Sequence, residues 1–212
     1  MGKAVLFIDF DGTISPVDIS NTFFSRFAGS DATAAVSEWK QGSISSTECL
    51  RRELDAYRGD LAALADYARS QPIDPGFFDL KRACEESGVE IFVVSDGLDF
   101  YIRPFLEAHG ADVNFRANKL EVRGEERLLS FPYYKESCGS CANCKSSHVE
   151  REAAKGSFII YAGDGLSDKC AVSKADMVFA KGELLDYCRA EGIRHAGFRT
   201  LSEIADYIRR SL

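Results

Sequence analysis

The chain has 212 residues, 45% of them apolar and 28% charged, with a formal net charge of −7. This suits one globular domain, or a core with a modest insert, and argues against a nucleic-acid partner, since no basic run or aromatic–basic stripe appears. No apolar stretch approaches the ~20 residues that span a bilayer, and the start runs into a strand without a cleavable leader pattern, so a cytoplasmic location is expected.

The first apolar run, Ala4-Val5-Leu6-Phe7-Ile8, reads as a buried strand over 4–9 and ends in Asp9-Phe10-Asp11-Gly12-Thr13. Residues 15–73 contain no convincing strand. Ile19–Phe27, Asp31–Gln41, Ser45–Tyr57 and Asp60–Ser70 read as four helices, with Ser45 and Ser46 followed by Glu48 as N-cap candidates. Pro72 and Pro75 mark the end of this stretch. Beyond it, helical and strand patterns alternate. Helices are predicted over 76–87, 98–109, 146–155, 167–174, 182–190 and 200–210. Strands are predicted over 89–95, 112–116, 157–162 and 176–180, and a β-ribbon over 117–137 turns at Gly124-Glu125. Such alternation implies an α/β fold, a doubly wound parallel sheet covered by helices on both faces. Residues 1–14 and 74–212 are the expected core domain and 15–73 an inserted helical cap lying over the catalytic edge.

Chemistry in such sheets gathers at the carboxyl ends of the strands. Asp9 and Asp11 crowd one such end, and Gly12 lets the chain turn away. Two carboxylates so placed call for a cation, and a carboxylate beside a bound cation can act as a nucleophile. Taken alone, the stretch also fits an ordinary Asp-Gly turn. Three further segments favour chemistry: Ser95-Asp96-Gly97 after a second strand, Lys145 in a loop before a helix, and Gly163-Asp164-Gly165-Leu166-Ser167-Asp168 after a third. Asp96 itself reads most simply as a helix N-cap.

Together, the DxDGT run at Asp9–Thr13, Ser95, Lys145 and the GDGxSD run at Gly163–Asp168 resemble, in order and spacing, the four motifs of the haloacid dehalogenase-like phosphatases. The resemblance covers essentially the whole chain. It implies a Rossmann-like core and hydrolysis of a small phosphorylated metabolite. Asp9 is then the nucleophile that becomes an aspartyl phosphate, and Asp11 the general acid and base. Magnesium is the implied cofactor, held by Asp9, Asp164 and the backbone carbonyl of Asp11, with Asp168 as a ligand or just behind. Thr13, Ser95, Gly97 and Lys145 are the implied phosphate-binding residues. An acid two residues after the nucleophile speaks against carbon–halogen cleavage. A phosphotransferase on the same fold remains an alternative.

Seven cysteines, an odd count, argue against a disulfide framework. Cys49, Cys84, Cys170 and Cys188 fall within helical patterns and are expected to be buried. Cys138, Cys141 and Cys144 immediately precede Lys145, with His148 three residues beyond. Two readings stay open: reduced thiols in a tight loop that presents Lys145, or a tetrahedral zinc site with His148 as fourth ligand. The first is favoured, because the loop is short and Lys145 would add positive charge beside the metal. A metal-binding interaction module built on this loop is the reading from another class. The loop and Gly97–Tyr101 resemble the phosphatase branch that includes methionine-salvage, phosphocholine/phosphoethanolamine and thiamine-monophosphate enzymes. The likeness is strongest to the methionine-salvage group, which acts on 2-hydroxy-3-keto-5-methylthiopentenyl 1-phosphate. Phosphoserine phosphatases are a neighbouring group. Their usual glutamate falls on Asp18 here, and their cap arginine near Glu53.

Overall fold

The computed structural model describes residues 3–212; residues 1 and 2, where the expected core domain begins, lie outside the described residues. Seven strands form one sheet: β1 (Ala4–Ile8), β2 (Glu90–Leu98), β3 (Phe115–Arg123), β4 (Glu126–Ser130), β5 (Phe158–Gly163), β6 (Met177–Ala180) and β7 (His195–Gly197). Their order is β4-β3-β2-β1-β5-β6-β7, with every neighbouring pair parallel except β3 and β4. The chain steps outward from β1 through β2 and β3, then crosses to β5 on the other side. That reversal makes the β1/β5 boundary the switch point, where a crevice opens at the carboxyl ends.

The uninterrupted apolar run of β1 follows from burial on both faces. Leu6 and Ile8 join one apolar layer, while Val5 and Phe7 join the other. Helices α5 (Phe77–Glu86), α6 (Asp99–Ala108) and α10 (Leu201–Ser211) supply the first layer through Leu80, Phe105 and Ile204. Helices α7 (Lys145–Ala153), α8 (Lys169–Val172) and α9 (Gly182–Ala190) supply the second through Val149, Val172 and Leu184. Each fully buried side chain of this size contributes about 1.5–3 kcal/mol.

Between β1 and α5 the chain forms α1 (Ile19–Phe27), α2 (Ser30–Lys40), α3 (Ser46–Ala56) and α4 (Ala62–Ser70). Asp18 caps α1 by accepting from the Asn21 N–H, and Ser45 caps α3 by accepting from the Glu48 N–H. Phe23, Phe24 and Leu54 from these helices merge into the first apolar layer of the sheet. Helix α3 is also held at both ends through its main chain. The Ser46 N–H donates to the Ser140 carbonyl at 2.8 Å. At the other end the Arg127 guanidinium on β4 donates to the carbonyls of Leu54, Tyr57 and Gly59 at 2.6–2.9 Å.

The doubly wound parallel sheet expected from the sequence is present, with four differences in detail. The predicted strand over 112–116 and the first arm of the ribbon are one continuous strand, β3. Its first residues pair with β2 and its later ones with β4, because it runs on past the end of the main sheet. Strand β7, His-Ala-Gly, has too little apolar character to be read from sequence. The predicted helix over 167–174 opens as a short 3-10 turn, Leu166–Asp168, before α8. Cys170, expected to be buried, is exposed on the outer side of α8, whereas Cys49, Cys84 and Cys188 are buried.

Candidate active site

The registers of the three central strands bring the sequence-predicted acids together. Ile8 lies level with Val93 of β2 and Ala162 of β5, and the Asp9 N–H donates to the Ala162 carbonyl at 2.9 Å. Asp9, Ser95 and Asp164 therefore leave their strands at nearly one level. Gly12 has φ +75°, and a Cβ there would collide with the Asp164 carboxylate, so only glycine lets the turn pass so close. The pairing of β2 with β3 breaks register between Val94 and Leu98, which lifts Ser95-Asp96-Gly97 out of the ladder.

Lys145 is the electrostatic centre. It opens α7 as its first residue rather than standing in the loop before it. Its ammonium is 2.7 Å from both Asp9 Oδ1 and Asp168 Oδ1, and 3.0 Å from the Ser167 hydroxyl. Burial works against its charge, but the two carboxylates outweigh burial and hold it protonated. Asp168 Oδ1 also accepts from the Tyr161 hydroxyl at 2.6 Å, while Oδ2 accepts from the backbone N–H groups of Asp164 and Gly165. Asp9 Oδ1 takes a further bond from the Phe10 N–H, which leaves Oδ2 without a partner among the described residues. Burial and then Asp168 push the Asp9 carboxyl well up, against the pull of Lys145. Asp164 is pushed up to about 6, by burial first and then by Asp168.

The Asp11 carboxyl turns toward the helical insert. Its Oδ1 accepts from the Ile19 N–H at 2.9 Å and its Oδ2 from the Tyr101 hydroxyl at 2.5 Å. Burial, followed by repulsion from Asp18, raises it to about 8. The Ser95 hydroxyl, almost wholly buried, accepts from the Gly97 N–H at 2.9 Å. A Cβ on Gly97 would strike the Tyr101 hydroxyl, so glycine is required for the Tyr101–Asp11 contact. The Thr13 hydroxyl does not face the cavity; it donates to Asp164 Oδ1 at 2.9 Å and so orients an acid.

Asp9, Asp11, Ser95, Gly97, Tyr101 and Asp164 line a cavity of about 160 Å³ between the strand ends and α1–α3, with Lys145 and Asp168 behind that lining. Oxygens of Asp9, Asp164 and Asp168 all lie within 4.8 Å of one another. Lys145 pairs with two of the three carboxylates, and the donors are all oxygen, so the cluster fits a hard divalent cation such as magnesium.

The cysteine loop is built differently from the zinc alternative. Cys138 and Cys141 sulfurs are 3.9 Å apart, and the buried Cys144 sulfur lies 3.4 Å from the Ser146 hydroxyl. Burial raises the Cys138 thiol, but hydrogen bonds from the Ser140 and Cys141 backbones and the neighbouring thiols outweigh it and lower it on balance. His148 does not turn to the sulfurs. Its Nε2 is 2.7 Å from Asn143 Oδ1, and its Nδ1 faces the guanidiniums of Arg116 and Arg151. Burial and those two arginines depress it to about 3. With both nitrogens engaged, His148 is not placed as a fourth ligand.

Asn143 is a residue that sequence reasoning missed. Its side chain donates to the carbonyls of Ser95 and Arg116, and its N–H donates to Asp96 Oδ1 at 2.6 Å. Asp96 is therefore not a helix cap; it staples the cysteine loop, and with it Lys145, to the end of β2. Tyr161 was missed as well, and Tyr101 and Glu53 stand out in the sequence only as positions within resemblances. A tyrosine or glutamate in an amphipathic helix or apolar strand carries no local mark of facing a site.

Solved structures resemble this arrangement throughout. A HAD family hydrolase of Salmonella enterica serovar Typhi superposes with a TM-score of 0.76 at 16% identity, covering 100% of this chain and 73% of that one. A substrate-bound phosphoserine phosphatase gives 0.75 at 20% identity, covering 98% and 99%. Among curated proteins, a 2-hydroxy-3-keto-5-methylthiopentenyl-1-phosphate phosphatase of Exiguobacterium sp. is 28% identical over 209 residues, 95% of each chain. The fold is therefore that of the haloacid dehalogenase-like hydrolases, and the similar curated proteins are named as phosphatases. More narrowly, the model of the Putative Phosphatase family matches residues 4–184, and the chain belongs to that family.

Proposed function

We propose that this phosphatase is a magnesium-dependent phosphomonoesterase acting on 2-hydroxy-3-keto-5-methylthiopentenyl 1-phosphate in methionine salvage, through an aspartyl phosphate. Residues 1–14 and 74–212 serve as the catalytic core and 15–73 as a cap that closes the site from water. The observation that carries the chemistry is the asymmetry of Asp9: Oδ1 is held by Lys145 and the Phe10 N–H, and Oδ2 has no partner among the described residues. Support for the substrate comes from curated relatives of that name, matched along nearly the whole chain.

In this reading Asp9 Oδ2 attacks phosphorus while the ester oxygen departs. Asp11, held high by burial, gives its proton to that oxygen. Asp11 then takes a proton from water, which attacks the aspartyl phosphate and releases inorganic phosphate and free Asp9. Lys145 and the Ser95 hydroxyl would meet the phosphoryl oxygens as charge redistributes. Asp9, Asp164 and the Asp11 backbone carbonyl, with Asp168 as a ligand or just behind, would hold the magnesium, which would supply neutralising charge for the phosphoryl oxygens.

Phosphate release from this substrate with magnesium and no acceptor alcohol tests the reading and separates hydrolysis from phosphotransfer. Hydrolysis of aryl phosphates but not of this substrate would refute the substrate alone. No hydrolysis of any monoester would refute the chemistry.

A further inference from the structure

The wall of the cavity formed by α1–α3 holds two buried polar side chains without partners among the described residues. Glu53 on α3 is 4% exposed, lines the cavity, and has neither a hydrogen bond nor an ion pair. Ser20 on α1 belongs to the same wall, and its hydroxyl is buried with no partner among the described residues. Neighbouring groups are already engaged. Asp18 caps α1, the Trp39 indole donates to Ser46, and Lys40 pairs with Glu183. A buried polar group left unpaired is costly, so two facing one cavity mark where a ligand makes the missing bonds.

We propose that Glu53 and Ser20 form a specificity subsite that reads the carbon chain of the substrate, selecting short phosphomonoesters with hydroxyl and carbonyl oxygens. The inference deepens the proposed function and rests on its placement of the phosphate at Asp9. A hydroxyl both donates and accepts. So does a protonated carboxyl, and burial, then repulsion from Asp18 and Asp11, raises Glu53 to about 8. Such a pair matches a chain bearing both a hydroxyl and a carbonyl. A protonated Glu53 offers no positive charge to a second carboxylate on the substrate and Asp18 repels one, which disfavours phosphorylated amino and hydroxy acids. Val36, Trp39 and Leu50 give the same cavity an apolar side, suited to the remainder of the chain.

The test compares kcat/KM for dihydroxyacetone phosphate, n-propyl phosphate and phosphoethanolamine in the parent, Glu53→Gln, Glu53→Leu and Ser20→Ala, with thermal midpoints as a folding check. The parent is expected to favour dihydroxyacetone phosphate over n-propyl phosphate by about tenfold or more. Glu53→Leu and Ser20→Ala each reduce that ratio severalfold, chiefly through KM, and Glu53→Gln retains more of it than Glu53→Leu. A parent ratio near one, or a ratio unchanged in folded Glu53→Leu and Ser20→Ala, overturns the subsite while leaving the phosphatase reading standing. A preference for phosphoethanolamine that Glu53→Leu abolishes overturns it in favour of an ammonium ligand. Failure of the parent to hydrolyse any monoester, aryl phosphates included, refutes the placement of the phosphate and the subsite with it.

Discussion

Replacing Lys145 by methionine removes the ammonium set between Asp9 and Asp168 while keeping most of its volume. Lys145 is 2% exposed and 2.7 Å from each of two carboxylates, so little solvent is available to take its place. Breaking a buried ion pair from one side costs about 3–5 kcal/mol. For a domain of this size that is a fall of about 6–20 °C in thermal midpoint, because each kcal/mol is worth roughly 2–4 °C. The loss depends on pH. Asp9, already pushed up by burial and Asp168, rises further once its cation is gone. An acid whose folded value exceeds its unfolded value of about 3.9 binds more protons when folded, so the variant loses stability as pH rises from about 4 and levels off above the folded value. The deficit is therefore larger at pH 8 than at pH 5, and added magnesium narrows it at pH 8. Differential scanning calorimetry of parent and variant at both pH values, with and without magnesium, measures all three effects. A midpoint within about 2 °C of the parent at pH 8 without metal would refute the buried cluster.

Asp9→Asn keeps the shape of the nucleophile but not its charge; aryl phosphate turnover falls by orders of magnitude, and a near-parental rate would sink the assignment. Chelation abolishes turnover and magnesium restores it; full activity after exhaustive chelation counts against a metal at the three aspartates. Gly97→Ala drives a methyl into the Tyr101 hydroxyl, so kcat drops as the Tyr101–Asp11 bond is displaced, and unchanged kcat speaks against that contact. His148, neutral when folded and depressed to about 3, contributes stability that is present above its unfolded value of about 6.5 and lost as pH falls toward 3. His148→Gln should flatten acid unfolding over that window, and a slope equal to the parent's would contradict the buried neutral ring.

What the sequence disclosed was local, and what it hid was long-range. Asp9, Ser95 and Asp164 each follow an apolar run, and a run of that length that stops at a polar residue marks the end of a buried strand. Lys145 was found by its resemblance to a motif, not by any local pattern of its own. The partners of these residues leave no such trace. Asn143 reaches Ser95 across 48 positions, and Tyr101 reaches Asp11 across 90. Asp96 sits at a strand-to-helix junction, where a cap is the economical local reading, but the cysteine loop competes for its carboxylate and wins. Cys170 falls in a helix too short to have a reliable inner face, which is why its exposure was misjudged. Glu53 looks like an ordinary surface residue of an amphipathic helix until the strand ends are folded beneath it.

The anchorage of α3 bears on how such an enzyme can change over generations. The atoms through which it is tied down are an N–H of Ser46 and the carbonyls of Leu54, Tyr57 and Gly59, none of which depends on what side chain those positions carry. Apart from Ser46, its cavity-facing positions, Cys49, Leu50 and Glu53, are free of that duty. Mutation can therefore rewrite this wall of the cavity while the helix stays docked. The phosphoryl machinery on the strand ends is inherited unaltered, and new selectivity is within reach of single substitutions.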